Sequence, residues 1–446
     1  MIGIFASRRE SEEDFMIAGR SVAGIQMIAT ITAGIFDGAL LSVYIAFVYQ
    51  FGLSALWFVA GSALGFLIFR RYAERIKNKA DEIKAYSMPE FYYRIYGKRV
   101  GLMFSLFLVV QFFLYLIVNF ILSAKILAHL FPGLSHLACV AIGAGIILIY
   151  LLLAGFKAVI RTDFFQFLLL FILCLTIFIF LAQGSEITPV DLNWESMGLG
   201  NVIGFLLLSA LGIMVAPDFW QRSFAARDSK TLKAGFAFGA LLLPLLAFFI
   251  TVAGLATRHH FPSILAENAL VTGISLLLPS GIKEFGLVLL FAVALSSADT
   301  VTFVVASIIS RDLLNYSQKN KEKSARRITQ IFMIIFVGLA LIIASRYQNI
   351  MKIGFSLASL NLALFPVVLL SFHWGLDEKA AFWSLVVTFI GVTGLCVVGS
   401  MTPEIAALSL PIAFFSLMIM SILFQRRARP AARFKNCIKN DKIDRS

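Results

Sequence analysis

The sequence predicts an all-α polytopic membrane protein with about twelve transmembrane helices. Of its 446 residues, 60% are hydrophobic and only 14% are charged, whereas soluble domains average about 45–50% and about 25%. The hydrophobic residues form continuous stretches near the ~20 residues that a spanning helix needs, without the alternation that marks a membrane β-barrel. A soluble protein is therefore excluded. The net charge of +13 is expected to orient the chain in a bilayer rather than to bind nucleic acid.

Twelve hydrophobic segments, named a to l in chain order, account for most of the chain. They cover residues 23–50, 52–70, 101–127, 137–154, 159–182, 199–220, 232–256, 284–309, 327–345, 349–372, 379–399 and 404–424. The longest connection, between b and c, is amphipathic and carries nine basic residues when counted from Arg70 to Arg99. Residues 1–22 are predicted to be a cytoplasmic N-terminal segment. Residues 425–446 are predicted to be a basic cytoplasmic tail that lies against anionic lipid.

The positions of Lys and Arg predict the orientation. If the N-terminus is cytoplasmic and the segments alternate, the cytoplasmic side receives 33 of the 38 basic residues and the outer loops receive four. An odd number of helices would remove this asymmetry. The positive-inside rule therefore predicts twelve spans with both termini cytoplasmic, and we expect the plasma (inner) membrane of a bacterium.

The alternating orientation of the predicted spans indicates two related blocks of five helices. Segments a–e (23–182) and f–j (199–372) are blocks of five that enter the membrane from opposite sides. This is the arrangement of an inverted-topology repeat. Segments k and l (379–424) are then two additional C-terminal helices.

The first segment of each block contains residues that interrupt helices. Segment a has Gly34 and Gly38 on either side of Asp37, and segment f has the run VAPD at 215–218. At such points transporter helices break and expose backbone carbonyls that can replace the water shell of a small cation. A single glycine more often serves close helix packing, but two glycines around a membrane-depth acid favour a break.

Three acids fall inside predicted spans: Asp37, Asp163 and Asp299. A charged residue at the centre of a span costs about 2.5–3.5 kcal/mol on insertion scales, so each is a functional candidate. Asp163 can pair with Arg161 or face cytoplasmic water. For Asp37 and Asp299 the sequence shows no obvious local counter-ion, and a bound cation or a bound proton is the expected partner.

Segment h carries four oxygen-bearing side chains within five residues: Ser296, Ser297, Asp299 and Thr300. Ser296 and Thr300 share one helical face, and the other two flank it. Hydroxyl back-bonding to the preceding turn explains one or two such residues, but not four with an acid among them. The pattern predicts a site for a hard monovalent cation.

Several motifs resemble the sodium:solute symporter family. They are EDFMIAGRS at 13–21, AGFKAVIRTDFFQ at 154–166, and SSAD at 296–299 continuing to SRD at 310–312, with PEF at 89–91, QR at 221–222 and AA at 225–226. The family's fold is a LeuT-like five-plus-five inverted repeat with extra helices before and after the core. The resemblance implies that this sequence lacks nearly all of the leading helix, whether naturally or through assignment of its start.

The resemblance also implies which residues bind ions. Family members hold sodium between the broken first core helix and the eighth core helix. The matching positions are the carbonyls of Ile35, Gly38 and Val293 and the side chains of Ser296 and Ser297. Some members hold a further cation near the acid of segment e, and a second sodium or a proton would correspond here to Asp163, Asp299 and Thr300. Asp37 matches an acid required by proline-type members and is expected to act in substrate binding.

The solute is less well defined. Tyr115 matches an aromatic position of the family's substrate site, but Ser209 and Ile213 stand where proline-type members have aromatic residues. We expect a small organic acid or an amino acid, imported with sodium by alternating access, with no enzymatic activity and no cofactor beyond the coupling ion. The expected partners are this solute and membrane lipid, and no obligatory protein partner is inferred. Alternatives are a proton-coupled symporter of the same fold, a transporter-like sensor and an inactive relic.

Overall fold

Helices make up nearly all of the regular structure in the described part of the chain. The computed structural model describes residues 17–34, 38–153, 168–169, 171–180, 193–194, 196–309 and 322–424. The helices are α1 (Ile25–Ala33), α2 (Gly38–Phe51), α3 (Leu56–Ile83), α4 (Met88–Tyr96), α5 (Lys98–Leu130), α6 (His136–Leu153), α7 (Leu199–Val215), α8 (Pro217–Ala225), α9 (Ser229–His260), α10 (Ala269–Leu277), α11 (Ile282–Ile308), α12 (Glu322–Arg346), α13 (Ile350–Leu362), α14 (Phe365–His373), α15 (Glu378–Val398), α16 (Pro403–Ala407) and α17 (Ser409–Phe424). Within the described ranges the one β-type contact is an isolated bridge between Val22 and Ala226.

Nine stretches of the described residues are long and apolar enough to cross a membrane. One of them, Gly38–Ile83, covers parts of both predicted segments a and b, and the helices at His136–Ile149 and Phe171–Phe180 are shorter. The all-helical membrane architecture is confirmed. The count of twelve spans and the five-plus-five repeat stay predictions.

Helix α3 extends 13 residues past the predicted end of segment b at residue 70. Its last three turns are amphipathic: Ala73, Ile76 and Ala80 are buried together with Lys77, while most of the other charged residues are exposed on the opposite side. A hydrophobic stretch ends at the first charges, but an amphipathic helix continues past them. The helix stops at Lys84, which has a positive φ of 51°.

The rest of the b–c connection forms α4. The Ser87 hydroxyl accepts from the Glu90 N–H at 3.1 Å, and the Glu90 carboxylate accepts from the Tyr86 N–H at 2.9 Å. Ser followed three residues later by Glu is the pattern of a helix N-terminus. Tyr92 then stacks on Phe104 with ring centroids 4.0 Å apart, which holds α4 against α5.

Close helix packing surrounds the centre of the molecule. Helix α3 packs along both α7 and α9, and α5 packs along α11. A Cβ on Gly65 of α3 would lie 2.6 Å from the Ala210 carbonyl oxygen of α7, so this contact requires glycine. Helices α15 and α17 pack against each other and are joined through the hydroxyls of Ser384, Thr388 and Ser416.

Candidate functional site

The predicted break in segment f is confirmed at Ala216. Helix α7 ends at Val215, Ala216 is extended (φ −67°, ψ 115°), and α8 begins at Pro217. Proline has no N–H and cannot bond the carbonyl of Ile213 one turn earlier. That carbonyl instead accepts from the Ala216 N–H at 3.4 Å.

Side chains of the protein satisfy the carbonyls near this break. The Gly212 carbonyl accepts from Asn361 Nδ2 of α13 at 2.9 Å. The Met214 carbonyl accepts from Trp220 Nε1 of α8 at 2.8 Å. Buried backbone acceptors need such partners, so the break in segment f is stabilised by the fold itself.

Segment a is also described as two helices, α1 and α2, whose facing ends are glycines. Residues 35–37, and with them Ile35 and Asp37, lie outside the described residues. A Cβ on Gly34 would lie 2.9 Å from Arg222 Cζ, and a Cβ on Gly38 would lie 2.8 Å from Ala294 Cα. The approach at Gly38 requires glycine because its neighbour is backbone, whereas the end of the Arg222 side chain near Gly34 can move. The start of α2 is therefore in direct contact with the backbone of α11.

That contact brings three of the predicted sodium-site positions, Gly38, Val293 and Ser297, close together. Gly38 faces Ala294, which directly follows Val293 and precedes Ser297 by one helical turn. The Ser297 side chain is buried, and its hydroxyl donates to the Val293 carbonyl at 3.1 Å. A hydroxyl that donates its proton back to the helix keeps its oxygen lone pairs for a cation. Back-bonding and ion ligation are thus compatible at Ser297.

Of the remaining predicted ion-site residues, the structure describes the side chains of Ser296 and Asp299. Ser296 is half-buried on α11, next to Ser297. Asp299 is 4% exposed on the same helix. Asp163 and the side chain of Thr300 lie outside the described residues, so the second cation site stays a prediction.

A cavity of about 260 Å³ lies among α2, α3, α5, α7, α8, α11 and α13. Ligand cavities are commonly about 300–1,000 Å³, so this one suits a small solute. Ser297 and Tyr115 both lie in its wall, as do Ser209 and Ile213, the two positions that depart from the proline-type pattern. The cavity therefore adjoins the candidate ion site.

Four phenylalanines surround one end of the cavity. Phe47 is late in α2, whereas Phe58, Phe205 and Phe355 are early in α3, α7 and α13. Phe47 is 4.6 Å from Phe205 and stacks on Phe355 at 5.2 Å, measured between ring centroids. This end offers apolar and aromatic contacts to a solute.

The other end of the cavity carries an ion pair. Arg222 Nη1 lies 3.2 Å from Asp218 Oδ2, and Arg222 Nε donates to the Thr30 hydroxyl at 2.9 Å. Arg222 is 8% exposed. This residue belongs to a motif that the sequence related only to family membership, and its contact with α1 was not predicted.

Backbone hydrogen bonds join the segment before α1 to the end of α8. The Val22 N–H donates to the Ala225 carbonyl at 3.1 Å, and the Arg227 N–H donates to the Val22 carbonyl at 2.8 Å. Arg20 forms an ion pair with Asp81 of α3. These bonds and the Arg222 contact join α1 and the segment before it to α8 and to the end of α3.

Two interrupted helices that meet beside a central cavity define the class of secondary transporters with discontinuous helices. The comparison with known families narrows this class. The family model "Sodium:solute symporter family" matches residues 15–388, and the chain belongs to this family. It is a polytopic membrane transporter and not an enzyme.

Individual relatives agree with this assignment. The chain is 25% identical over 401 residues to the high-affinity proline transporter PutP of Bacillus subtilis, covering 84% of each chain. It is 24% identical over 420 residues to the sodium/pantothenate symporter of Haemophilus influenzae, covering 87% of this chain and 85% of the relative. The fold matches a Na⁺-coupled sialic acid symporter solved in a substrate-bound outward-open state. That match has a TM-score of 0.76 and 17% identity, and it covers 96% of this chain and 95% of the other.

Proposed function

We propose that this protein is a sodium-coupled symporter that imports a small organic solute by alternating access. In this proposal sodium binds the carbonyls of Ile35, Gly38 and Val293 and the hydroxyls of Ser296 and Ser297. The observation that carries the proposal is the backbone contact of Gly38 with Ala294. It places the start of α2 against the turn of α11 that contains the two serines.

The donor set suits a monovalent cation. Carbonyl and hydroxyl oxygens carry no net charge, so they can replace water around one positive charge without assembling several carboxylates in the bilayer. Asp37 immediately precedes Gly38 in the sequence, and we propose that its carboxylate offsets the ion's charge and contacts the solute.

The solute is proposed to be an amino acid or a carboxylate-like molecule bound in the cavity next to Tyr115. The small volume and the four phenylalanines support a compact solute with an apolar part. The names of the relatives support the same class, since proline, pantothenate and sialic acid each carry a carboxylate.

Coupling follows from the position of the ion between α2 and α11. Bound sodium stabilises the arrangement of helices that forms the cavity wall, and solute then binds better with sodium than without it, typically by about 1–3 kcal/mol. In this proposal inward opening separates α1 from Arg222. It also breaks the backbone hydrogen bonds that join Val22 to Ala225 and Arg227. The membrane potential contributes about 2.3 kcal/mol per charge per 100 mV to import.

We place both termini in the cytoplasm of a bacterial cell, and we propose that 23–182 and 199–372 are the two inverted repeats. Breaks in the first segment of each block support this division. A second cation, either sodium or a proton, would use Asp163, Asp299 and Thr300. Asp299 is a buried carboxyl group in a membrane-spanning helix, and such groups mark ion or proton pathways, so proton coupling is the second candidate function.

The test is solute uptake into proteoliposomes with either a sodium or a pH gradient, comparing Ser297→Ala and Ser296→Ala with Thr302→Val. Thr302 is the matched control because it is a buried, back-bonding hydroxyl on the same helix (2.7 Å to the Ala298 carbonyl). Loss of one ligand is expected to raise the sodium concentration for half-maximal uptake by about ten- to a hundredfold in the serine variants, since a bond to a charged group contributes about 1.5–3 kcal/mol.

Three results would contradict the proposal. Unchanged sodium activation in both serine variants would misplace the ion site. Uptake driven only by a pH gradient would replace sodium by a proton. Absence of uptake across a broad solute panel would favour a sensor or an inactive relic.

A further inference from the structure

Two carboxamides in the cavity wall each have a polar atom without a hydrogen-bond partner. The side chain of Gln111 on α5 is 3% exposed, and its Nε2 has no hydrogen-bond partner. The Oδ1 of Asn361 on α13 has no hydrogen-bond partner either. Both residues line the cavity. Buried polar atoms are normally paired, so each unpaired one needs an explanation, and a solute in this cavity would supply one.

The break in segment f orients Asn361. Its Nδ2 donates to the Gly212 carbonyl, which uses the donor side of the amide and leaves the oxygen as the free acceptor. Gln111 lies one helical turn before Tyr115 on α5, so both side chains reach the cavity from one helix face. The wall therefore combines a free N–H donor with a free acceptor.

A third polar group adds to this pair without adding charge. Ser62 of α3 is buried in the same wall, and its hydroxyl has no partner. A hydroxyl can donate or accept. It can therefore bond either polar group of a solute that already contacts the two amides.

The described part of the cavity wall carries little uncompensated charge. Among its described residues the charged side chains are Asp218 and Arg222, which pair with each other. A solute with net charge would lose water without meeting an unpaired opposite charge in this part of the wall, which is costly. A zwitterion or an uncharged amide avoids that cost.

We infer that the site selects a net-neutral solute with both a hydrogen-bond acceptor, bound by Gln111 Nε2, and an N–H or O–H donor, bound by Asn361 Oδ1. The apolar part of this solute lies against the four phenylalanines. The inference rests on the proposed transport function. It narrows the solute class to zwitterionic amino acids and neutral amides and excludes simple carboxylate anions.

The experiment compares solutes that share an apolar body and differ in charge. For the proline, leucine and phenylalanine frameworks, the panel contains the amino acid, its amide cation, the corresponding carboxylate anion and the corresponding neutral carboxamide. Two measurements are made on the full chain in sodium: the rise in melting temperature of the purified protein, and uptake into proteoliposomes. We expect zwitterions or neutral carboxamides to be active, and the anions and cations to be at least about tenfold weaker.

Substitutions of Gln111 and Asn361 test the two proposed hydrogen bonds to the solute. Gln111→Leu and Asn361→Leu are each expected to weaken apparent affinity about three- to tenfold, the effect of one neutral hydrogen bond. Asn119→Leu is the matched control, because Asn119 is a buried amide of α5 with an unpaired Oδ1 but does not line the cavity. Gln111→Glu preserves the shape and removes the donor, so it tests the assignment if a leucine variant misfolds.

Each result decides the inference. Preference for anions or cations would overturn it, as would unchanged affinity in Gln111→Glu and Asn361→Leu, or no response to any solute. Failure of the proposed function looks different. A rise in melting temperature caused by sodium alone, and lost in Ser297→Ala, tests the ion site without any solute. Solute binding without sodium-driven uptake would leave this inference intact and contradict transport.

Discussion

The two helix breaks are stabilised in different ways. At the break in segment f a proline interrupts the helix, and Asn361 and Trp220 satisfy the carbonyls that precede it. At the break in segment a there is no proline, and the flanking glycines instead press against neighbouring helices, Gly34 on Arg222 and Gly38 on Ala294.

This difference assigns different roles to the two breaks. Side chains of the protein already satisfy the carbonyls at the break in segment f, so this break serves as a fixed part of the cavity wall. The break in segment a is held by contacts with other helices, Gly34 with α8 and Gly38 with α11. In an alternating-access transporter we expect these contacts to change between states. We therefore expect changes in segment a to affect coupling and changes in segment f to affect stability.

The largest effect is expected for Gly38→Ala. The added methyl group would meet the Ala294 backbone at 2.8 Å, and overpacking of this kind costs about 1–3 kcal/mol. Because the contact borders the proposed ion site, sodium-driven uptake should fall about ten- to hundredfold and the sodium requirement should rise. Uptake as a function of sodium concentration measures both.

Two other glycines sharpen this test. Gly34→Ala should have a smaller effect, because its methyl group would meet the end of the Arg222 side chain, which can move. Gly338→Ala in α12 should have none, since nothing lies within 4 Å of the added atom. Equal losses in all three variants would show that the α2–α11 contact has no special role.

A smaller effect is expected for Trp220→Phe at the break in segment f. The substitution keeps an aromatic ring but leaves the Met214 carbonyl without its donor, which costs about 1–3 kcal/mol for a buried group. The melting temperature of the purified protein should fall, while the sodium concentration for half-maximal uptake should stay unchanged. A shifted sodium response at normal stability would mean that both breaks take part in coupling.

The smallest effect concerns Asp228, which caps the N-terminus of α9, the second helix after this break. Hydrogen bonds from Thr231, and then Arg227, lower the pKa of Asp228 to about 2. A depressed pKa in the folded state means that the carboxylate stabilises the fold above its unfolded-state value near 3.8, and that this stabilisation is lost as the pH falls towards 2.

Asp228→Asn preserves the cap and removes the charge. Its melting temperature should be slightly below that of the natural chain between pH 7 and pH 5, and the two should converge as the pH falls below about 4. A difference that grows in acid would contradict the assigned pKa direction.

Much of the helical architecture was predictable from local signals. Pro217 marked one break, and Gly34 and Gly38 marked the ends of the helices on either side of residues 35–37, because missing N–H groups and missing side chains act wherever they occur. The extension of α3 and the short helix α10 were not predicted. The first is amphipathic and the second is shorter than a span, so neither contains a long apolar stretch.

The site was predictable only in part. Ser297 was predicted from the polar cluster on segment h, and Val293 and Tyr115 were predicted from the family resemblance; their roles stay predictions. Asn361 was missed because its partner Gly212 is 149 residues away, and Gln111 was missed because one polar residue in a spanning helix has no distinctive local pattern.

The amino-acid sequence by itself determined which segments are helical and where two of them are interrupted. A bilayer requires long apolar stretches whose backbone groups are satisfied internally, and both conditions are local. The tertiary structure alone decided which side chains reach the cavity and which backbone faces Gly38. Those contacts join residues far apart in the chain, so they depend on how the helices pack and not on any single helix.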